Sequence, residues 1–180
     1  MKRITLAIFT IIFLALLFQS KLYWFNKKPE LKKLERIVLV GLAMEALKTK
    51  EVPVASIVIY NGKIIGRGYN TVLRDTNIGG HAEINAISDA IKNMGESGFN
   101  KLDRDSLKLV TTFEPCLMCR GAIIENRIKQ VEFIKEKSIS HWVKNYLKAF
   151  SYEYKKRKIN ENNLQDSLFM LHPSYSSNNP

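Results

Sequence analysis

Stretches rich in β-branched and aliphatic residues alternate with helical patterns through the middle of this chain, and this alternation limits the fold more than any other feature. The first two such stretches, VPVASIVIY and KIIGRGYN, are joined by Asn61-Gly62, a dipeptide typical of tight hairpin turns. Two more β-rich runs, LKLVTTF and QVEFI, follow later and are separated by helical patterns. A hairpin followed by alternating helices and strands predicts an α/β domain, with helices packed on the faces of a mixed sheet.

The helices are predicted from apolar residues at helical spacing and from signals at the helix ends. One helix is expected from Pro29 to about Lys48, a second from His81 to Met94 with Gly95 ending it, and a third over Pro115–Asn126. A fourth, charged helix is expected from Ile139 to Lys158. Beyond it, the run LFMLH is interpreted as either an edge strand or a short helix.

Length and composition indicate one ordinary domain with attached segments. The chain has 180 residues, of which 46% are hydrophobic and 25% charged, and this excludes a disordered or collagen-like chain. The formal net charge is +11, and the basic excess lies in the regions before Val54 and after Ile134. Basic flanks suit anionic lipid or nucleic acid. A solvated basic surface without a polyanionic partner explains them equally well.

The N-terminus carries an apolar run that predicts a membrane anchor. Ile4–Phe18 is uncharged, and Ile4–Phe25 supplies the roughly 20 residues that a spanning helix needs. A signal peptide is the alternative, but no small-residue cleavage site follows near Phe18-Gln19-Ser20, so an uncleaved anchor is favoured. Because most nearby lysines and arginines follow the span, the positive-inside rule predicts a single-pass protein of the cytoplasmic membrane with its domain in the cytosol.

The chain has two cysteines, and they form the motif EPCLMC at Cys116 and Cys119. In a cytosolic domain, cysteines three residues apart indicate metal or redox chemistry more often than a structural disulfide. In the first turn of a helix, both sulfurs point the same way and thiolates are favoured. A thioredoxin-like pair would normally have Gly-Pro between the cysteines, whereas this pair has Leu-Met.

A histidine and a glutamate at the start of another helix, in GGHAEINAIS, complete a candidate catalytic site. Alone, such a pair is usually a helix cap or a surface pair. Combined with the two cysteines, His81 becomes a natural third zinc ligand, and three protein ligands leave the fourth position open, as in catalytic zinc sites. Zinc lowers the pKa of its water toward 7, and Glu83 lies close enough to move the proton.

With HAE and PCLMC in this order, the chain resembles the zinc-dependent cytidine/deoxycytidylate deaminase superfamily. VPVASIVIYNGKIIGRGYN, HAEINAI, LVTTFEPCLMCRGAII and NRIKQVEF look like the branch of tRNA adenosine deaminases and guanine deaminases. The resemblance implies a three-layer α/β/α cytidine-deaminase-like fold with a mixed, mostly parallel sheet, and often a homodimer. It implies one Zn²⁺ per chain, a catalytic glutamate and three substrate contacts. On this sequence these fall on His81, Cys116 and Cys119 for the metal, on Glu83 for proton transfer, and on the Asn70 side chain, the Ala82 N–H and the Pro115 carbonyl for the substrate.

These patterns together predict a membrane-anchored hydrolytic deaminase. Residues 1–25 are assigned to the anchor, 26–158 to a CMP/dCMP-type deaminase domain with an extra C-terminal helix, and 159–180 to a partly disordered tail. A small nucleobase, nucleoside or nucleotide is slightly favoured as substrate, and an adenosine in tRNA is the alternative. Two readings from other classes are a catalytically silent zinc-containing binding module at the membrane and a thiol oxidoreductase.

Overall fold

A four-stranded mixed sheet forms the centre of the computed structural model, which describes residues 29–158 and 162–171. The strand order across the sheet is β2-β1-β3-β4. The strands are β1 (Ala55–Tyr60), β2 (Lys63–Tyr69), β3 (Leu107–Phe113) and β4 (Gln130–Lys135). The hairpin between β1 and β2 turns at Asn61 and Gly62, which have φ values of 48° and 75°. The predicted strands and hairpin are therefore confirmed.

The expectation that the sheet is mostly parallel is wrong for this part of the chain. Strand β1 is antiparallel to both β2 and β3, and only β3 and β4 run parallel. The tight hairpin makes β2 antiparallel to β1. The chain then crosses to the other side of β1 and runs in the direction of β2 again, so β3 is also antiparallel to β1. Only the last helix–strand connection makes a parallel crossover.

Helices cover both faces of the sheet, as predicted. Over residues 29–136, the α-helices are α1 (Lys33–Lys48), α2 (Ala82–Met94), the short α3 (Glu96–Asn100) and α4 (Leu117–Glu125). Alternation along β1 assigns its side chains to the two faces. Ile57 and Ile59 pack with Leu39 of α1 on one face, whereas Val58 joins the core cluster that includes Ala86 of α2 and Ile123 of α4 on the other.

The predicted helix limits are close to the observed ones. Helix α2 is confirmed, with His81 as its N-cap residue and Gly95 as its C-cap residue. Helix α4 begins at Leu117 with Cys116 as N-cap, two residues after the predicted start. Helix α1 begins at Lys33 rather than near Pro29. Helix α3 was not predicted, because five residues are too few for an apolar period to show.

Two glycines let helix α2 lie directly on strand β2. A Cβ atom on Gly68 would lie 2.3 Å from both the Ala82 carbonyl oxygen and the Ala86 nitrogen, and one on Gly66 would lie 2.3 Å from the Ala86 carbonyl oxygen. Real Cβ atoms do not approach backbone atoms so closely. The absence of side chains at these two positions therefore sets the distance between the helix and the sheet.

Lys137–Pro180 forms a second compact unit. Its first helix, α5 (Ile139–Lys155), confirms the predicted charged helix, and the Ser138 hydroxyl caps it by accepting from the His141 N–H at 3.2 Å. The second, α6 (Asn162–Met170), contains Leu168, Phe169 and Met170 of the LFMLH run, so these three residues belong to a helix rather than an edge strand. Of the predicted tail, residues 159–161 and 172–180 lie outside the described residues.

The assignment to the cytoplasmic membrane is corrected by the structure. Within residues 29–158 and 162–171, no helix is long and apolar enough to cross a membrane. The longest helices of this part, α1 and α5, have 16 and 17 residues, and spanning takes about 20 apolar residues. The run predicted to be the anchor, Ile4–Phe25, lies outside the described residues.

We expect Gly68→Ala to lower the free energy of unfolding by about 1–3 kcal/mol, since its Cβ would push α2 away from β2. Gly41→Ala is the matched control, because Gly41 lies within α1 with no atom within 4 Å of its added Cβ. That change should raise the free energy of unfolding by roughly 0.5–1 kcal/mol. Urea denaturation of both variants measures the effects, and an unchanged midpoint for Gly68→Ala would contradict the close packing.

Candidate active site

The loop after β2 delivers His81 to the start of helix α2. The Thr71 N–H donates to the Gly80 carbonyl at 2.7 Å, and the His81 N–H donates to the Gly79 carbonyl at 2.8 Å. A Cβ on Gly80 would lie 2.8 Å from the Thr71 hydroxyl oxygen. Gly80 is therefore needed where the two ends of the loop meet, directly before His81.

Asn85, one turn into α2, holds this loop in place. Its Nδ2 donates to the Tyr69 carbonyl at 2.8 Å and to the Thr71 hydroxyl at 3.0 Å. The Asn85 backbone N–H donates to the His81 carbonyl at 2.9 Å. One side chain thus joins the end of β2, the loop and the helix that carries the histidine. The sequence analysis missed this residue because nothing in HAEINAI indicates that its asparagine forms hydrogen bonds with a preceding loop.

The three predicted metal ligands come together in space. His81 Nδ1 lies 3.7 Å from Cys116 Sγ and 3.5 Å from Cys119 Sγ, and the two sulfurs are 3.6 Å apart. His81 and Cys116 are half-buried N-cap residues of α2 and α4, and Cys119 is fully buried in the first turn of α4. Residues 35 positions apart in sequence thus meet where two helices begin.

The cluster fits a zinc ion by both chemistry and size. One imidazole nitrogen and two sulfurs form a donor set typical of zinc. Tetrahedral ligands at ordinary zinc bond lengths would be separated by roughly 3.6–3.8 Å, close to the three distances here. Among the histidine, cysteine, aspartate and glutamate side chains of the described residues, His81, Cys116 and Cys119 form the group of three that lies close enough together to hold a metal ion.

Glu83 lies beside the cluster and is buried, with 4% of its surface exposed. Its Oε2 atom accepts from the Cys119 thiol at 3.4 Å. Burial raises the pKa of the Glu83 carboxyl above its ordinary value, because the charged form loses solvation. A carboxyl with a raised pKa holds a proton more readily near neutral pH, as a proton-transfer group requires.

The two thiols differ in their tendency to ionise when no metal is bound. The Cys119 side chain, whose sulfur lies 3.6 Å from Cys116 Sγ, stabilises the Cys116 thiolate and lowers the pKa of Cys116 to about 4. The pKa of Cys119 is raised, first by its contact with Cys116 and then by burial. The site therefore supplies one thiolate in advance, and the second thiol must release its proton when a metal binds.

Of the three residues predicted to contact substrate, two lie at these helix starts and the third follows strand β2. Ala82, fully buried, is the first residue of α2, so its N–H has no acceptor within the helix. Pro115 is buried and directly precedes Cys116. Asn70 follows β2, and its Nδ2 donates to a Glu51 carboxylate oxygen at 2.8 Å. Sequence reasoning did not single out Glu51, which stands before the first β-rich run in KEVPVAS.

Glu114, which was not predicted from the sequence, fixes the segment that leads into Cys116 and Cys119. The Glu114 carboxylate, 9% exposed, accepts from Arg120 Nη2 at 2.8 Å. The Glu114 N–H donates to the Lys135 carbonyl on β4 at 2.8 Å. Because Glu114 and Arg120 flank the cysteines, this ion pair ties the start of α4 to the end of β3.

Several curated proteins resemble this chain in sequence. The tRNA-specific adenosine deaminase of Buchnera aphidicola is 35% identical over 96 residues, which are 53% of this chain and 60% of that enzyme. The enzyme of the same name from Streptococcus pyogenes is 38% identical over 89 residues, 49% of this chain and 53% of that enzyme. The chain therefore spans little more than half the length of these relatives.

Solved structures share the fold. One, from a study of A-to-I editing by tRNA:A34 deaminases at the wobble position of transfer RNA, is 27% identical with a TM-score of 0.51 and covers 57% of this chain and 75% of that chain. Guanine deaminase from Bacillus subtilis is 24% identical with a TM-score of 0.57, covering 78% of this chain and 96% of that chain. The α/β cytidine-deaminase-like fold is thus confirmed.

The family model described as the cytidine and deoxycytidylate deaminase zinc-binding region matches residues 32–135, more than half of the chain. The matched region contains both helix starts and all three clustered ligands. The expectation of a zinc cofactor is confirmed, and so is the resemblance to the deaminase superfamily and to its tRNA adenosine deaminases. This chain belongs to the family described by the cytidine and deoxycytidylate deaminase zinc-binding region.

Proposed function

We propose that this enzyme hydrolytically deaminates an adenosine in tRNA, with His81, Cys116 and Cys119 as zinc ligands and Glu83 as the proton-transfer residue. The observation that carries the proposal is the meeting of one histidine nitrogen and two cysteine sulfurs within 3.7 Å of one another, with a buried carboxyl 3.4 Å from one sulfur. This arrangement suits catalytic zinc chemistry.

The chemistry divides between the metal and the protein. When bound, zinc supplies a Lewis acid that lowers the pKa of water and so makes it a nucleophile at neutral pH. Glu83 would take the proton that this water loses and pass it to the ring nitrogen as the water oxygen adds to the amidine carbon. It would then take the second proton from the added hydroxyl group and pass it to the amine, which leaves as ammonia while the carbonyl forms. Adenosine and water thus give inosine and ammonia. The raised pKa of Glu83 suits both accepting and donating a proton.

Similarity to known proteins supports tRNA over a small substrate, the reverse of the preference drawn from sequence alone. Deaminases named for tRNA adenosine, at 35% and 38% identity, are among the relatives. The likeness to guanine deaminase, at 24% identity, concerns the fold alone. A formal net charge of +11 is compatible with a polyanionic substrate.

The readings from other classes fit the site less well. A silent binding module has no use for a buried proton carrier beside its metal, whereas Glu83 is in place. A thiol oxidoreductase needs a pair of cysteines but not a histidine nitrogen within 3.5 Å and 3.7 Å of the two sulfurs. Both observations favour a hydrolytic zinc enzyme.

The remaining assignments complete the proposal. The Asn70 side chain, the Ala82 N–H and the Pro115 carbonyl contact the base or its ribose, since all three lie at the two helix starts or the strand end beside them. The deaminase domain extends over 26–158, including the additional helix α5. Assembly into a homodimer is part of the same proposal.

A substrate panel tests the reaction. We expect the zinc-loaded chain of residues 1–180 to convert a tRNA transcript with adenosine at position 34 to the inosine form, with release of ammonia. Guanine, adenosine, cytosine and deoxycytidylate should remain unchanged under the same conditions, and a transcript with guanosine at position 34 serves as the matched control. Mass spectrometry of nucleosides gives the readout. Conversion of guanine but not of tRNA would overturn the assigned substrate.

Replacing Glu83 tests its role separately. Glu83→Gln should lower kcat by roughly 100- to 10,000-fold, because the amide cannot carry the proton. The zinc content should stay at one ion per chain, since Glu83 is not assigned as a ligand. Metal analysis and single-turnover kinetics on the A34 transcript measure the two quantities. Loss of zinc, or unchanged kcat, would contradict the assignment.

Thiol alkylation tests the ligands. In zinc-free protein, Cys116 should react with iodoacetamide even at pH 6, because a thiol with a pKa of about 4 is ionised there, whereas an ordinary thiol with a pKa of about 8.5 is protonated. Added zinc should block the reaction. Peptide mass spectrometry identifies the modified residue, and Cys116→Ser should remove the fast phase. Alkylation that zinc does not slow would rule out the cysteines as ligands.

A further inference from the structure

Glu51 is a buried carboxylate whose hydrogen bonds all go to one short segment of the chain. Only 4% of its surface is exposed. Its Oε2 accepts from Asn70 Nδ2 at 2.8 Å, and its Oε1 accepts from the backbone N–H groups of Leu73 and Arg74 at 2.5 Å and 2.9 Å. Both oxygens are thus matched with donors, as a buried carboxylate requires. Glu51 therefore fixes the segment from Asn70 to Arg74.

The contact with Glu51 determines the orientation of the Asn70 carboxamide, that is, whether its Nδ2 or its Oδ1 faces Glu51. The oxygen and nitrogen of an asparagine side chain have nearly the same shape, so the partners decide the orientation. An ionised carboxylate only accepts hydrogen bonds, so the Nδ2 end must face Glu51. Among the described residues, none donates a hydrogen bond to Asn70 Oδ1. That oxygen remains available as an acceptor.

Asn70 is held next to the loop that carries the zinc ligand. Its neighbours Tyr69 and Thr71 both accept from Asn85 Nδ2. The Thr71 N–H also donates to the Gly80 carbonyl at 2.7 Å, and Gly80 directly precedes His81. The backbone at Asn70 is thus linked, through Thr71 and Gly80, to the residue that precedes His81.

We propose that Glu51 is a positioning residue that holds the Asn70 carboxamide with its oxygen as the acceptor for the substrate. The group that Asn70 recognises is then an N–H or O–H donor of the nucleoside, such as a ribose hydroxyl. This inference rests on the proposed function, in which Asn70 contacts the substrate. Glu51 selects for a donor at that point without touching the substrate.

The alternative is that Glu51 only anchors the loop backbone through Leu73 and Arg74. Glu51→Gln separates the two roles. The single oxygen of glutamine can still accept from the two backbone N–H groups, and its NH₂ group then faces Asn70. Because two NH₂ groups repel each other, Asn70 must turn over and offer its oxygen to Gln at position 51. The substrate then meets a donor where it needs an acceptor.

Exchanging the carboxylate at position 51 with the carboxamide at position 70 provides the test. We expect Glu51→Gln to raise KM for the A34 transcript by about tenfold or more while changing kcat little, since a substrate donor loses its acceptor. Asn70→Asp alone should also impair binding by placing two carboxylates together. The double variant Glu51→Gln/Asn70→Asp restores an amide–carboxylate pair with an oxygen toward the substrate. Its KM should return to within about threefold of the wild-type value.

Failure of the exchange would overturn the inference. If the double variant binds no better than Glu51→Gln alone, Glu51 acts on the backbone only. Glu45→Gln is the matched control, because Glu45 lies on α1 with an exposed side chain that pairs with Lys48, and its KM should not change. Equal effects of the two glutamine variants would equally contradict a specific role.

A substrate-free measurement separates this inference from the proposed function. By NMR, the side-chain amide protons of Asn70, identified by their loss in Asn70→Asp, should exchange with water at least about tenfold more slowly in the wild type than in Glu51→Gln. Slow exchange in a protein that does not convert tRNA would refute the assigned substrate and leave the orientation standing. Equal exchange rates would refute the orientation itself.

Discussion

The contact between helix α2 and strand β2 is the constraint on which the site depends. The helix lies so close to the strand that two glycines, Gly66 and Gly68, are needed beneath it. Ala82, Ala86 and Ala90 on the facing side of the helix are fully buried. Small residues on both partners bring the helix start down to the sheet edge, where His81 can reach the cysteines. A larger side chain in this layer would lift the histidine away from the sulfurs.

Polar contacts add to this close packing by fixing the orientation of the two helix starts. The end of β2, the following loop and the first turn of α2 are joined by Asn85 and by the Thr71–Gly80 backbone pair. On the cysteine side, the Glu114–Arg120 ion pair fixes the junction of β3 with α4. Hydrogen bonds of this kind are directional, so they set the orientation of the two helix starts more finely than apolar packing can. The resulting ligand spacing suits one small ion.

The sequence predicted the parts of this molecule that depend on local pattern. The hairpin at Asn61-Gly62, the end of α2 at Gly95 and the ligands in HAE and PCLMC each have a local signal, because turn geometry, capping and metal chemistry restrict residue type directly. The direction of β3 relative to β1 has no such signal, since it depends on which edge of β1 receives the returning chain. Glu51 and Asn85 were missed for a similar reason, as their partners are distant in sequence or belong to the backbone.

The arrangement of the ligands also has a consequence for how the protein folds. His81 and Cys116 are the N-cap residues of two different helices, α2 and α4, and helix α3 and strand β3 lie between these helices in the sequence. Neither α2 nor α4 alone therefore offers a complete metal site. A bound ion would join the two helix starts and close a long loop of the chain. Bringing the ends of such a loop together lowers the chain entropy, and without the ion only packing would offset this loss. Zinc affinity and folding stability are therefore linked quantities, since an ion that binds only the native state stabilises it in proportion to RT ln(1 + [Zn]/Kd). A zinc ion held by His81 and the two cysteines would therefore also cross-link the starts of α2 and α4.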